Sequence, residues 1–172
     1  MKTLIMTAGL LLMVQSLAWA QNVDPPYRGQ GYFFVGFGTG TAAPPQHPLV
    51  TQVGGGGEGF LYKGLGFGAE AGYVSWGGYY DTAVTASGDF SYHFGRHARR
   101  GRLDPFVLGG VSFVGPTQAG GGRGSPAGNF GGGTNLWIAD HAALRFEFRD
   151  IVGASFWNFD HVIAFRVGVT FR

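Results

Sequence analysis

The chain has 172 residues, the length of about one domain, and its composition differs from that of a water-soluble domain. Only 13% of the residues are charged, against about 25% in soluble domains, while 16% are aromatic and 33 are glycine. This aromatic content excludes a disordered chain, and the formal net charge of +2 is too small to indicate nucleic acid binding. The absence of cysteine excludes disulfides, thiolate metal sites and cysteine nucleophiles.

The start of the chain has the three parts of a secretory signal peptide. Lys2 supplies a positive charge, the apolar run Leu4 to Met13 follows, and Ala18-Trp19-Ala20 offers small residues where signal peptidase cleaves. The run is shorter than the ~20 residues that a spanning helix requires, so it does not predict a membrane anchor. We expect cleavage after Ala20 and export. No second run of about 18 apolar residues follows, so no transmembrane helix is predicted.

After the signal peptide, the sequence falls into segments of roughly ten residues in which apolar residues alternate with small or polar ones. A membrane β-strand has this pattern, because it spans the bilayer in about 9–11 residues with apolar side chains toward lipid. We assign residues 21–30 to a short N-terminal segment and residues 31–172 to an all-β domain. The predicted strands are eight, an even number as bacterial single-chain barrels have: Gly31–Thr39, Gly55–Tyr62, Leu65–Tyr73, Ala86–Phe94, Leu103–Phe113, Phe130–Ile138, Leu144–Arg149 and Ile163–Phe171.

Alternation assigns an inner and an outer face to the N-terminal strands. Glu70 lies on the inner face of the third strand, and Asp89 and His93 lie on the inner face of the fourth. The second strand is dominated by glycine and has the weakest strand propensity of the set. The residues assigned to the outer face are Phe33, Val35, Phe37, Phe67, Ala69, Ala71, Tyr73, Gly88, Phe90, Tyr92 and Phe94.

The last two strands show the clearest alternation. A helix would mix Phe146 and Glu147 into one stripe, so the strand interpretation is favoured. The fifth strand is apolar in both registers and its facing stays open; Pro105 lies near its start, where a missing amide donor is tolerated. In the sixth strand Phe130, Gly132, Thr134, Leu136 and Ile138 alternate with Gly131, Gly133, Asn135 and Trp137. The outer face of the last two strands comprises Leu144, Phe146, Phe148, Ile163, Phe165, Val167, Val169 and Phe171.

The connections between the predicted strands alternate in length. Short turns at one end and long loops at the other are typical of outer-membrane barrels, whose short turns face the periplasm. The predicted short connections are Lys63-Gly64, Gly95 to Arg102 and Asp140-His141. The predicted long connections, which contain the turn-forming residues, are Gly40 to Gln52, Ser75 to Asp81, Pro116 to Gly128 and Val152 to His161.

Together with the signal peptide, four stretches carry a family resemblance: Gly66 to Tyr73, Ser91-Tyr92-His93-Phe94, Leu144 to Asp150 and the final strand. On these residues the chain resembles the small bacterial outer-membrane β-barrel superfamily. That superfamily includes the OmpA transmembrane domain, OmpX-like proteins and the "outer membrane protein beta-barrel domain" proteins. The resemblance covers essentially the whole mature chain and implies an eight-stranded antiparallel up-and-down transmembrane β-barrel in the outer membrane.

The resemblance also implies partners. Outer-membrane lipids and lipopolysaccharide would surround the barrel, and periplasmic chaperones and the barrel-assembly machinery would deliver it. A C-terminal assembly signal is expected at Phe165, Val167, Val169 and Phe171. The family's terminal strand usually ends on an aromatic residue, whereas here Arg172 follows Phe171. No nucleic acid partner and no cofactor are expected.

Charged residues on the inner faces form the candidate functional site. Eight strands enclose an interior just wide enough for side chains to fill, and charges confined there must pair. Three arginines facing three or four carboxylates predict a polar network that fills the lumen and closes the pore, with a conducting or gated pore as the alternative. The predicted members are Glu58, Glu70, Asp89, His93, Arg145, Glu147, Arg149 and Arg166.

One set of residues superficially fits an enzyme. Some outer-membrane barrels act on lipid A with a Ser–His pair oriented by a carboxylate, and Ser91 and His93 share a face with Asp89. However, this face is the inner one near a periplasmic turn, whereas such enzymes resemble barrels with catalytic groups exposed to lipid. The His-x-Ser stretch that is characteristic of those enzymes is also not matched here, because the serine precedes the histidine. We therefore predict no catalytic residues and no enzyme activity.

Other motifs give no metal, nucleic acid or phosphate site. The basic stretch Arg96 to Arg102 indicates a solvated hairpin end near phosphate head groups rather than a nucleic acid or heparin site. Gly54 to Gly57 and Gly131 to Gly133 lack the Lys-Ser/Thr or helix that follows a phosphate loop. No metal-ligand spacing relates the scattered histidines His47, His93, His97, His141 and His161.

Aromatic residues near the long loops predict an interfacial girdle, with adhesive loop tips as the alternative. They are Trp76, Tyr79, Tyr80, Phe156, Trp157 and Phe159.

The predicted function is that of a structural or surface-interaction protein of the outer membrane, with external loops available to a ligand. A small pore or transporter for small or apolar solutes is the alternative, followed by a lipid-modifying envelope enzyme. A soluble lipocalin-like barrel, with its large apolar residues inside, is the architectural rival.

Overall fold

The computed structural model describes residues 28–41, 49–76, 82–95, 102–117, 124–153 and 160–172. The predicted signal peptide, residues 1–20, and most of the predicted N-terminal segment lie outside the described residues. No helix in the described ranges is long and apolar enough to cross a membrane. The strands are β1 (Gly29–Thr41), β2 (Leu49–Tyr62), β3 (Leu65–Ser75), β4 (Thr82–His93), β5 (Leu103–Pro116), β6 (Ser125–Ala139), β7 (Ala142–Val152) and β8 (His161–Phe171).

The eight strands form one closed barrel, which confirms the predicted fold. Each strand pairs antiparallel with its neighbours in sequence, and β1 pairs with β8 to close the sheet. The closing ladder runs from Gly31 opposite Phe171 to Thr41 opposite His161. Closure removes the edge strands that an open sheet would expose to other chains.

β2 is longer than the sequence predicted. It begins at Leu49 rather than at Gly55, so the predicted connection Gly40 to Gln52 is too long. Pairing with β1 explains the difference, because Leu49 lies opposite Thr39 and the ladder continues without interruption through the glycines. The ladder partner therefore overrides the weak intrinsic strand propensity of this segment.

β6 also begins earlier than predicted. It starts at Ser125 rather than Phe130, which makes the predicted connection Pro116 to Gly128 too long. Ser125 lies opposite Val114, so residues whose Ser-Pro sequence favours a turn instead form a strand by pairing with the end of β5. Pairing thus prevails over local turn chemistry here as well.

The other two long connections agree with the prediction to within one residue at each end. β3 ends at Ser75 and β7 ends at Val152. β4 starts at Thr82, before the predicted Ala86, because Thr82 lies opposite Ser75 at the end of the β3 ladder. The strand ends that border the four long connections lie at one end of the barrel, which we call the long-connection end; the opposite end is the tight-turn end.

A two-residue turn joins β2 to β3 at the tight-turn end. The φ angle is 41° at Lys63 and 84° at Gly64, the positive values that this kind of hairpin requires at both central positions. Glycine adopts them readily, whereas a side chain does so at a cost. The predicted short turns Lys63-Gly64 and Asp140-His141 are confirmed. Most of the predicted turn Gly95 to Arg102 lies outside the described residues.

Large apolar side chains cover the outside of the barrel. Val111 is 69% exposed and Phe33 is 68% exposed, and the predicted outward apolar residues of β1, β3 and β8 all lie on this surface. The ladder with β4 settles the facing of β5, since Leu108 lies opposite the inward Ser91. Leu108 therefore points inward and Val107 points outward.

The interior contains an apolar level at the long-connection end, which the sequence did not predict. Seven buried residues, one from every strand except β1, form a single cluster that we call the apolar layer. Trp76 packs against this layer, so its assignment to an outward aromatic girdle is wrong. The other predicted girdle residues, Tyr79, Tyr80, Phe156, Trp157 and Phe159, lie outside the described residues. The apolar layer comprises Val50, Val74, Ala83, Val114, Ala127, Ile151 and Val162.

Candidate functional site in the barrel interior

The inner faces of five strands bring the predicted charged residues together below the apolar layer. All of them are buried: Glu58, Glu70, Asp89, His93, Arg145, Glu147, Arg149 and Arg166. They divide into two groups. The lumen network consists of Glu70, Asp89, Arg145, Glu147, Arg149 and Arg166. The His93 group, nearer the tight-turn end, consists of His93 and Glu58 with three residues that the sequence did not predict as members, Gln30, Ser91 and Asp104.

Glu147 is the centre of the lumen network. On β7 the side chains two positions away share its face, and Arg145 Nη2 and Arg149 Nε donate to its carboxylate at 2.7 and 2.8 Å. Arg166 lies directly opposite on β8, and its Nη1 reaches the same carboxylate at 3.3 Å. One carboxylate therefore partners three guanidinium groups.

Carboxylates from the opposite wall complete the network across the lumen. Arg149 Nη1 donates to Asp89 Oδ2 at 2.8 Å, and Arg166 Nη1 donates to Glu70 Oε1 at 2.9 Å. These bonds join β3 and β4 to β7 and β8. Glycine makes room for the large side chains: a Cβ at Gly36, opposite Arg166, would lie 3.0 Å from the arginine Cγ. The interior at this level is filled by side chains.

The His93 group holds a fully buried imidazole between two carboxylates. His93 Nδ1 lies 2.8 Å from Asp104 Oδ2, and His93 Nε2 lies 3.2 Å from Glu58 Oε2. Glu58 also accepts hydrogen bonds from Ser91 Oγ and, at 2.9 Å, from Gln30 Nε2. These residues come from β1, β2, β4 and β5, so the group ties four strands together.

Aromatic rings link the two groups. The guanidinium carbon of Arg145 lies 4.3 Å from the centre of the Tyr32 ring and 4.1 Å from that of Phe106, within the range of cation–π attraction. The Phe106 ring also stacks on His93, with centroids 5.1 Å apart. Tyr32 donates its hydroxyl to Glu70 at 3.1 Å. Arg145 is thus held by rings on two sides and by Glu147.

Sequence reasoning missed several members of this site. Tyr32, Gln52 and Asp104 are all buried, and Gln52 Oε1 accepts a hydrogen bond from Arg166 Nε at 2.8 Å. The signal that could have found Tyr32 is its alternation with the outward Phe33. The sequence did not predict Gln52 because this residue was assigned to a loop. It did not predict Asp104 because the inner face of the fifth strand was not determined.

The structure does not assemble the Ser–His–carboxylate set considered for an enzyme. Ser91 Oγ donates to Glu58, and both ring nitrogens of His93 face carboxylates, those of Asp104 and Glu58. Asp89 accepts its hydrogen bond from an arginine of β7 instead of orienting His93. The residues share a face as predicted, but their partners differ from those of a catalytic triad.

The two described histidines outside this site are His141 and His161. His161 Nδ1 lies 2.9 Å from Asp150 Oδ2 at the long-connection end, and His141 is exposed in a tight turn. Among the described residues, no group of three or more His, Asp or Glu side chains could hold a metal ion. His47, His97 and all of the basic stretch except Arg102 lie outside the described residues.

The outward residues of the last strand form a continuous row beside β1. Phe165, Val167 and Val169 lie opposite Phe37, Val35 and Phe33, respectively. The Phe37 and Phe165 rings are 5.8 Å apart and meet edge to face. Phe171 is 48% exposed at the end of the row. The predicted assembly signal is therefore accessible on the outer surface.

Comparison with known proteins identifies the fold. No protein-family model matches the chain, and no curated protein matches its sequence. The N-terminal β-barrel domain of OprF from Pseudomonas aeruginosa aligns with a TM-score of 0.60 at 16% identity, covering 84% of this chain and 96% of that domain. Neisserial surface protein A aligns with a TM-score of 0.60 at 11% identity, covering 83% and 96%. Ail, the attachment invasion locus protein of Yersinia pestis, aligns with a TM-score of 0.52 at 10% identity, covering 84% and 99%. The chain has the fold of the small eight-stranded outer-membrane β-barrels, the class that its sequence resembles.

Proposed function

We propose that this protein is a structural or surface-interaction barrel of the bacterial outer membrane, with a closed polar lumen and external loops at the long-connection end. The observation that carries the proposal is the inverted distribution of side chains. Charged residues such as Arg149 and Glu147 are buried inside, while Phe33, Val111 and their neighbours are exposed on the outside. Soluble proteins rarely expose an apolar surface that is continuous around the molecule, whereas a barrel in a bilayer requires one.

The same distribution argues against a soluble lipocalin-like barrel, which would bury its large apolar residues and expose polar ones. It also supports the lipid partners expected from the sequence. In this proposal outer-membrane lipids and lipopolysaccharide contact the outward aromatic and aliphatic residues. The barrel-assembly machinery reads the outward row of β8, and chaperones carry the chain across the periplasm.

Two levels of closure in series support a plug rather than a pore. The lumen network spans the barrel from Asp89 to Glu147 through Arg149. The apolar layer lies between this network and the long connections. An ion crossing the barrel would have to separate buried ion pairs and enter an apolar level, both of which are costly. The names of two similar structures, a surface protein and an attachment locus protein, are in line with a role for the loops outside the cell.

Cell fractionation tests the location. We expect cleavage after Ala20, recovery in the detergent-extracted outer-membrane fraction and heat-modifiable gel mobility. A matched variant without residues 1–20 should stay in the cytoplasm, because the export signal is missing. Recovery of the full chain in the soluble periplasmic fraction without detergent would contradict the proposal.

Single-channel recording in a planar bilayer tests the closed lumen. We expect the refolded wild-type protein to give conductance near the bilayer background. Steady conductance would contradict the closed lumen and favour the alternative, a pore. In that case Glu147→Ala should shift the ion selectivity toward anions and leave the stability of the barrel nearly unchanged. The two experiments test independent parts of the proposal, since a protein can be located in the outer membrane and still conduct ions.

A further inference from the structure

A small cavity lies between the lumen network and the His93 group. Its volume is about 10 Å³, and Asp89 and Arg145 of the network line it together with Glu58 and Ser91 of the His93 group. A space of this size admits one water molecule and little more. Its walls are polar enough to give a water several partners, unlike the dry cavities of apolar cores.

Two of the lining residues have an atom without a partner. Asp89 is 6% exposed and Arg145 is 3% exposed, yet Asp89 Oδ1 and Arg145 Nη1 have no hydrogen bond. Their other polar atoms are occupied: Asp89 Oδ2 accepts from Arg149, and Arg145 Nε and Nη2 donate to Glu147. The two residues that carry this unmet acceptor and this unmet donor both line the cavity. Leaving such groups unsatisfied when buried is costly.

We propose that the cavity is a binding site for a single ordered water, which accepts a hydrogen bond from Arg145 Nη1 and donates one to Asp89 Oδ1. A water is both donor and acceptor, and it is neutral. An anion would face the carboxylates of Asp89 and Glu58, and a cation would face the guanidinium of Arg145. The bound water adds a hydrogen-bonded link between β4 and β7 within the lumen network. The site belongs to the interior alone and does not depend on where the barrel resides.

A crystal structure of the refolded barrel, at a resolution that resolves ordered waters, tests the site directly. We expect an isolated density peak within about 2.7–3.2 Å of both Asp89 Oδ1 and Arg145 Nη1. An empty cavity, or a direct contact between Asp89 and Arg145, would overturn the proposal. Because the described interior contains more carboxylates than arginines, the crystals should also be grown with rubidium in place of sodium. An anomalous peak in the cavity would show a cation site instead.

A cavity-filling variant gives an independent test. Leu108 lines the cavity from β5, and Leu108→Phe should expel the water and leave both unmet atoms buried. We expect its urea midpoint to fall below that of Val107→Phe, the matched control on the outward face of the same strand. A midpoint above wild type would indicate that the cavity was dry and that filling it is favourable. If Leu108→Phe does not fold, the wild-type density alone decides.

Discussion

Two adjacent levels of the same barrel interior are closed in physically different ways. β7 passes through both: Ile151 belongs to the apolar layer, and Arg149, the next inward residue, belongs to the lumen network. In the apolar layer the side chains only have to fill space. In the lumen network each guanidinium must meet carboxylate oxygens at hydrogen-bond distance, as Arg149 does with Glu147 and Asp89.

The difference indicates what each level contributes. Hydrophobic burial is non-directional, so the apolar layer should accept changes that conserve volume, and it excludes water without fixing which strands meet. The lumen network is directional, and a buried charge that loses its partner is strongly destabilising. We infer that the network fixes strand register, whereas the apolar layer seals the long-connection end.

The largest effect is expected at the centre of the network. Glu147→Ala leaves three buried guanidinium groups without a shared partner and should lower the free energy of unfolding by roughly 3–5 kcal/mol. Urea titration in detergent micelles, followed by gel mobility, measures the change. The control is Asp140→Ala in an exposed turn, which should lie within about 0.5 kcal/mol of wild type. A loss below about 1 kcal/mol, typical of an exposed ion pair, would mean that water hydrates the network and that the two levels do not differ as proposed.

An intermediate effect is expected on the outer surface. Val169→Asp places a carboxylate among outward apolar residues, and the cost should be below the roughly 2–4 kcal/mol measured for Arg or Lys at the midplane of other barrels. Folding yield into lipid vesicles measures it. Val169→Leu, which keeps the surface apolar, should fold like wild type. Equal yields for the two variants would show that this face does not contact lipid, and the comparison of inner and outer surfaces would need revision.

A smaller effect is expected in the apolar layer. Ile151→Val removes one methyl group from a fully buried side chain and should cost about 0.5–1.5 kcal/mol in unfolding free energy. The same substitution at the outward Ile138 leaves no cavity, because lipid or detergent fills the space, and it should be close to neutral. If Ile151→Val lowered the free energy of unfolding as much as Glu147→Ala does, the proposed difference between the two levels would be contradicted.

No change at all is expected in conductance when the network alone is damaged. Because the apolar layer lies in series with it, Glu147→Ala should conduct as little as wild type in a planar bilayer. The double variant Glu147→Ala with Ile151→Ala weakens both levels and provides the comparison. Current through the single variant would indicate that the network, and not the apolar layer, is the seal.

Most of the fold follows from alternation in the sequence. The final strand reads apolar outward from Ile163 to Phe171, and β7 places Arg145, Glu147 and Arg149 on the opposite face from Phe146 and Phe148. Side chains two residues apart on a strand share a face, so the centre of the lumen network was within reach of the sequence. The partners across the lumen were not, because register between distant strands decides which carboxylate meets which arginine.

The missed features share a physical cause. Leu49 and Ser125 join strands because a neighbour pairs with them, which no local propensity reports. The apolar layer draws on strand ends that look like the start of loops, such as Val50 and Val162. Asp104 lies in a strand whose two registers are both apolar, so its inward position appears only when β5 is paired with β4.

The pairing of the first strand with the last one has a consequence for the making of the protein. Thr41 and His161 meet at the seam although 120 positions separate them. Contacts of such long range demand loop closure before they stabilise anything, so the contact order is high and folding is expected to be slow. Until β8 arrives, β1 and β7 present open edges that can pair with other chains. A newly synthesised chain is therefore prone to aggregation for an interval, and the length of that interval depends on how soon β8 pairs with β1.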